Sequence, residues 1–136
     1  MSAGPGRPAG SAGYGPEPPR LGALEAKVMD ALWDEAGLSV RELIERLGGT
    51  SAYTTIATVL SNLSRKELVV AERSGHSTRY HPALTRAEHT AAVMGHALAA
   101  SKDREASILH FVETMPAGDL ELLRAYLDQH EQRDQS

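Results

Sequence analysis

The chain has 136 residues, of which 41% are hydrophobic, 24% charged and 4% aromatic, with a formal net charge of −4. That length holds one domain, or a small domain with an assembly segment, and the balance is that of a soluble globular protein with an aliphatic core. The absence of Cys excludes disulfides and thiolate metal sites; no run approaches the length of a membrane span and no signal-peptide pattern is present, so a cytoplasmic protein is expected.

Residues 1–20, MSAGPGRPAGSAGYGPEPPR, are rich in Gly, Pro, Ala and Ser and lack periodicity. Such a segment cannot bury enough apolar surface to offset its ordering entropy, and a disordered tail is expected. Leu24, Val28, Ala31 and Leu32 then recur at helical spacing and predict a helix over 24–34, with Trp33 at its end and Gly37 as its stop. Ser39-Val40-Arg41-Glu42 reads as a capping box, in which the Ser39 hydroxyl accepts from the Glu42 amide and the Glu42 carboxylate reaches back. It opens a helix over 40–47 that buries Val40, Leu43, Ile44 and Leu47, and Gly48-Gly49-Thr50 makes the next turn.

Residues 51–68, SAYTTIATVLSNLSRKEL, carry the most information. Ile56, Val59, Leu60 and Leu63 define one apolar stripe, while Thr54, Thr55, Thr58, Ser61, Asn62, Arg65 and Lys66 occupy the other face. That face has no carboxylate before Glu67. A helix that only needs solvation mixes Glu with Lys, since opposite charges four residues apart support it. A face of hydroxyls, amide and cations suits a phosphate-rich surface instead. Two short amphipathic helices joined by a Gly-containing connector have the shape of a helix-turn-helix, with 51–68 as the recognition helix. On this helix alone, an ordinary amphipathic core helix is an equal alternative.

The following segment decides between them. Residues 68–73 have strand character, Ser74-Gly75-His76-Ser77 supplies a turn, and residues 78–81 form a second strand ended by Pro82. A hairpin directly after a recognition helix is a wing, with Arg73, His76 and Arg79 as candidate phosphate contacts. Across residues 50–82, Arg65, Lys66, Arg73 and Arg79 meet only Glu67 and Glu72, a local +2 within a chain of −4. Helix-turn-helix plus wing favours DNA binding over a hairpin whose charges merely keep it soluble.

The remainder reads as three helices. Thr85-Arg86-Ala87-Glu88 is a second capping box and opens a helix to about residue 101; others span 107–115 and 116–132. They offer Val93, Ile108, Phe111, Val112, Leu120, Leu123 and Leu127 as apolar contacts. Three short helices cannot build a good core alone, so pairing with a second copy in a two-fold dimer is expected. The expected architecture is mainly α with a small β-hairpin: tail 1–20, winged helix-turn-helix domain 21–83, three-helix dimerisation domain 84–132.

Other chemistries find little support. His89 and His96, with Glu88 and Glu113, suggest a metal site, but two turns of helix separate the histidines by about 10 Å, too far for one ion. No metal and no cofactor are expected. The chain has no Cys nucleophile, HExxH, GxxxxGK[ST] or Gly-x-Ser-x-Gly pattern, so it is not read as an enzyme. The competing functional class is a winged-helix protein-interaction module that binds a partner through its C-terminal helices, against which the acid-free helix face argues.

In order and spacing, LGALEAKVMDALW, SVRELIERL, AYTTIATVLSNLSRKELV, RYHPAL and SILHFVETMPAGDLELLRAYLD resemble the BlaI/MecI/CopY family of penicillinase-type transcriptional repressors, over about four-fifths of the chain. The resemblance implies a homodimeric, antibiotic-responsive repressor on dyad-symmetric double-stranded operator DNA. It implies that Thr54, Thr55 and Thr58 read DNA, that Tyr53 and Arg65 flank them, that Arg79 is the wing cation and that Tyr80 packs the wing onto the body. Some family members are released by proteolysis just before the Phe that corresponds to Phe111, under a membrane sensor protease. Here His110 stands where those members carry Asn, and the Cys-rich copper-binding tail of others has no counterpart. Asn62 stands where many relatives have Arg, and Glu67 where Gly is frequent; both departures bear on operator preference or phosphate contacts.

Overall fold

The computed structural model describes residues 13–135, so most of the expected N-terminal tail, residues 1–12, lies outside the described residues. Residues 13–20 form no helix or strand. The elements run α1 (Ala23–Asp34), α2 (Val40–Arg46), α3 (Tyr53–Arg65), β1 (Val69–Ser74), β2 (Ser77–Pro82), α4 (Arg86–Ala99), α5 (Arg104–Thr114) and α6 (Ala117–Gln135). The fold is mainly helical with one antiparallel hairpin, arranged as a winged helix followed by further helices.

Tyr14–Met94 forms one compact unit. Its core is aliphatic: Val28, Met29 and Leu32 from α1, Leu38, Val40 and Leu43 around the start of α2, Ile56, Val59, Leu60 and Leu63 from α3, then Leu68 and Val69. No polar or charged residue is buried among the described residues. All four positions of the α3 stripe are inside, so α3 is fixed by its apolar face against α1 and α2 and turns its polar face outward. Ser39 caps α2 as its sequence requires: Glu42 N–H donates to Ser39 Oγ at 3.2 Å and Ser39 N–H to Glu42 Oε1 at 2.9 Å.

The hairpin closes through Gly75-His76, with Ser74 opposite Ser77 and Gly75 at φ 63°, the left-handed first position that a tight two-residue turn demands. Its base is anchored twice. Leu38 forms a bridge with Tyr80: Tyr80 N–H donates to the Leu38 carbonyl and Gly37 N–H to the Tyr80 carbonyl, both at 2.9 Å. Tyr80 itself packs on the core. Helix α1 ends at Asp34 with Glu35 as an extended C-cap, so Gly37 is not its stop. Gly37 has φ 81°, which strains any L side chain, and a Cβ there would stand 3.2 Å from His81 Cε1.

The start of α4 belongs to the same unit. Thr85 and Glu88 form the second capping box, with Thr85 N–H donating to Glu88 Oε1 at 2.8 Å and Glu88 N–H to Thr85 Oγ1 at 3.0 Å. Trp33 Nε1 donates to the Leu84 carbonyl at 3.0 Å, and Arg86 Nη2 reaches Asp30 at 2.8 Å and Asp34 at 2.9 Å. The His89 ring stacks against Trp33 with centroids 5.3 Å apart.

The second unit begins at Gly95. Helix α5 starts earlier than its apolar pattern predicts because Asp103 caps it, accepting from Ala106 N–H at 3.2 Å. None of its residues is buried. Ile108, Leu109 and Phe111 of α5, and Leu122, Tyr126 and Leu127 of α6, are exposed, while Leu120 and Leu123 are half-buried. No helix of the described residues is long and apolar enough to cross a membrane.

Candidate nucleic-acid interface

At 100° per residue, Thr54, Thr58, Ser61 and Arg65 line up along the middle of the outward face of α3. All four are exposed. Thr55 and Asn62 flank the line on one side, exposed and half-buried respectively, and Arg65 Nη2 donates to Asn62 Oδ1 at 2.9 Å. Tyr53, 53% exposed, flanks it on the other. The first turn of α3 has no acidic residue and no side-chain cap at Ala52, so its N–H groups and its dipole favour an approaching anion.

The helix ends in a Schellman motif. Glu67 N–H donates to the Ser64 carbonyl at 3.0 Å and Leu68 N–H to the Leu63 carbonyl at 2.9 Å, while Leu63 and Leu68 are both buried. This requires a left-handed residue between them, and Glu67 occupies it at φ 63°. Glu67 is therefore the helix stop, a local backbone role that apolar periodicity does not register.

The cations around α3 fall into two groups. Lys66 Nζ donates to Glu25 Oε1 at 2.9 Å, to Glu25 Oε2 at 3.0 Å and to the Arg20 carbonyl at 2.9 Å, tying α1 to the end of α3. Glu25 also accepts from Gly22 N–H at 2.8 Å; that bond and the one from Lys66 hold its carboxyl below the ordinary value. Arg46 pairs with Glu35. Arg79 Nη1 donates to the Gly37 carbonyl at 2.7 Å and to Glu42 Oε1 at 3.0 Å. These charges are already offset by protein groups. Arg65 bonds only to a neutral amide, and Arg73 has no carboxylate partner among the described residues. On the hairpin, Arg73 and His76 are exposed, whereas Arg79 is half-buried against α2.

One residue here has no distinguishing sequence pattern. Arg41, exposed on α2, lies with its guanidinium carbon 5.8 Å from the centre of the Tyr53 ring. The only sequence signal was a cation just after the Ser39 cap; nothing local indicates which side of α2 meets the start of α3.

At the end of the first unit, Val93 and Met94 are 46% and 52% exposed, and in the second unit Ile108, Phe111 and Leu127 are likewise open. Val112, Leu120 and Leu123 are half-buried. The His110–Phe111 bond lies inside α5, with both side chains exposed. His89 turns to Trp33, and among the described residues no three His, Asp or Glu side chains gather into a metal site.

A family model described as penicillinase repressor matches residues 21–129. Two relatives, each a transcriptional regulator BlaI from a strain of Mycobacterium tuberculosis (CDC 1551 / Oshkosh and ATCC 25618 / H37Rv), are 41% identical over 114 residues, which covers 79% of this chain and 83% of theirs. Among solved structures, the monomeric form of Bacillus licheniformis BlaI in complex with the blaP half-operator is 26% identical, covers 52% of this chain and 89% of its own, and gives a TM-score of 0.45. A MarR family protein from Bacillus stearothermophilus is 16% identical, covers 85% and 76%, and gives 0.44.

Proposed function

We propose a mode of action for a chain that belongs to the penicillinase repressor family of transcriptional regulators. As a member of that family it is a DNA-binding repressor of the winged-helix type and not an enzyme. In our reading, two copies in the cytoplasm pair through the apolar faces of α4–α6 and bind a dyad-symmetric operator. Their α3 helices enter successive major grooves about one helical turn apart. The observation that carries this reading is the exposed, acid-free line of Thr54, Thr58, Ser61 and Arg65 on a helix whose other face is wholly buried.

Within that frame, Thr54, Thr55 and Thr58 contact bases or phosphates, their hydroxyls bonding and their methyls packing on thymine, with Tyr53 and Asn62 at the flanks. Arg65, Arg73 and His76 contact the backbone, and Arg79 acts by holding the wing against α2, since its charge is offset by Glu42. Bound at a promoter, the dimer blocks polymerase. Release follows an inducing signal; if a membrane sensor protease delivers it by cutting His110–Phe111, the exposed α5 must first unwind locally to enter the protease.

The test is a titration of the chain against a duplex from its own upstream region and a shuffled duplex of equal composition, at several salt concentrations. The reading requires tighter binding to the upstream duplex and a steep fall of log K with log salt. Weak, equal binding to both, together with a protein partner captured by residues 95–135, would instead establish the interaction-module alternative.

A further inference from the structure

On α2, α3 and the hairpin, Arg46, Lys66 and Arg79 each pair with a carboxylate, whereas Arg41, Arg65 and Arg73 do not among the described residues. Arg41 is the one of these three that comes from outside the recognition helix and the wing. Its guanidinium lies 5.8 Å from the centre of the Tyr53 ring, and Tyr53 is the first residue of α3, one position ahead of the line that begins at Thr54. An exposed cation over an aromatic face gains little energy and keeps its full charge. The Arg41 guanidinium donates to no protein acceptor among the described residues, so its N–H fork, which matches a phosphate's oxygens, stays available.

We infer that Arg41 is a phosphate-binding residue, engaging a DNA phosphodiester at the N-terminal end of the α3 line, with Tyr53 as the positioning residue that holds it there. The inference rests on α3 being the DNA-facing helix and adds a contact from α2 to it. Such a contact anchors the recognition helix at its leading end, while Arg65 lies eleven residues further along the same face. It carries no sequence information, so its effect is the same on every duplex.

The test measures binding as a function of salt on the upstream and shuffled duplexes for the wild type, Arg41→Ala, Tyr53→Leu, the double variant and Lys27→Ala. Lys27 is an exposed cation on the side of α1 away from the core and serves as the charge control. Arg41→Ala is expected to reduce the slope of log K against log salt by about 0.9 for each bound copy, about 1.8 for a dimer, and to weaken both duplexes by the same factor. Tyr53→Leu weakens binding, and adding Arg41→Ala to it costs less than in the wild type; Lys27→Ala changes nothing. Circular dichroism and melting confirm that each variant is folded. An unchanged slope in Arg41→Ala, or an equal change in Lys27→Ala, overturns the phosphate contact, and full additivity with Tyr53→Leu overturns the positioning role. Should the wild type itself show no salt-dependent binding to either duplex, the DNA-facing reading of α3 fails first and this inference with it.

Discussion

Arg79 Nη1 stands 3.0 Å from Glu42 Oε1, on a carboxylate that also accepts from the Ser39 N–H at 2.9 Å. One side chain thus caps α2 and fastens the wing to it. The Ser39 hydrogen bond first, and the nearby Arg79 charge with it, hold the Glu42 carboxyl below its ordinary value of 4.5. Glu25 is lowered in the same direction by Gly22 N–H and Lys66. A carboxyl lowered on folding contributes stability that is complete above its unfolded value and disappears as pH falls through its folded one. Stability of the winged-helix unit should therefore decline below about pH 4.5, and the Glu25→Gln, Glu42→Gln double variant should show a flatter decline in urea unfolding across pH. An acid limb of undiminished steepness in that variant would assign the effect to other groups.

Glu67 should be replaceable to advantage. A non-glycine residue in the left-handed region costs about 1–2 kcal/mol, part of which Gly returns as unfolded-state entropy, so Glu67→Gly is expected to stabilise by about 1 kcal/mol. Glu67→Ala removes the charge but keeps the strained backbone and should gain much less. Equal gains in both variants, read from urea midpoints, would mean that charge and not backbone conformation is the burden at this position.

Trp33 links α1 to the entry of α4. Trp33→Phe keeps most of the packing but leaves the Leu84 carbonyl without its donor, a loss of about 1 kcal/mol. Hydrogen exchange should show the loss at the first turn of α4 more than at α2, since Arg86 and His89 both pack against the indole. Uniform loss of protection across the unit would show that Trp33 serves the core as a whole.

Much of this fold is legible in the sequence because its causes are local. The α3 stripe, both capping boxes and the Gly75 turn follow from spacing and residue type, whereas Gly37 marks the crossing with β2 and not the end of α1. Met29 lies outside the expected stripe of α1 because the apolar face there is wider than the four residues at ideal spacing. The start of α5 is hidden from apolar periodicity because an Asp103 cap precedes a polar first turn. What the sequence does not carry are pairings across long separations: Leu38 with Tyr80, Arg79 with Glu42, Lys66 with Glu25 and Arg41 with Tyr53. Those decide which cations are neutralised, and residue type alone gives every one of them the same weight.

The apolar residues left open on α5 and α6 bear on assembly. Ile108, Phe111 and Leu127 are 41%, 55% and 52% exposed in the single chain. If a second copy covers them, sedimentation should find a dimer, and Phe111→Glu or Leu123→Glu should shift it to monomer without melting the winged-helix unit. Those variants should also lose more affinity for a two-half-site duplex than for a half-site. A monomeric wild type at the concentrations that bind DNA would remove the dimer from the account.

Whether the outward face of α3 meets DNA is read by following backbone amide shifts as the upstream duplex is added. The largest changes are expected at Tyr53, Thr54, Thr58 and Arg65, with Arg41 on α2 and Gly75-His76 at the wing tip also moving. Changes confined to α4–α6, with α3 silent, would contradict that contact.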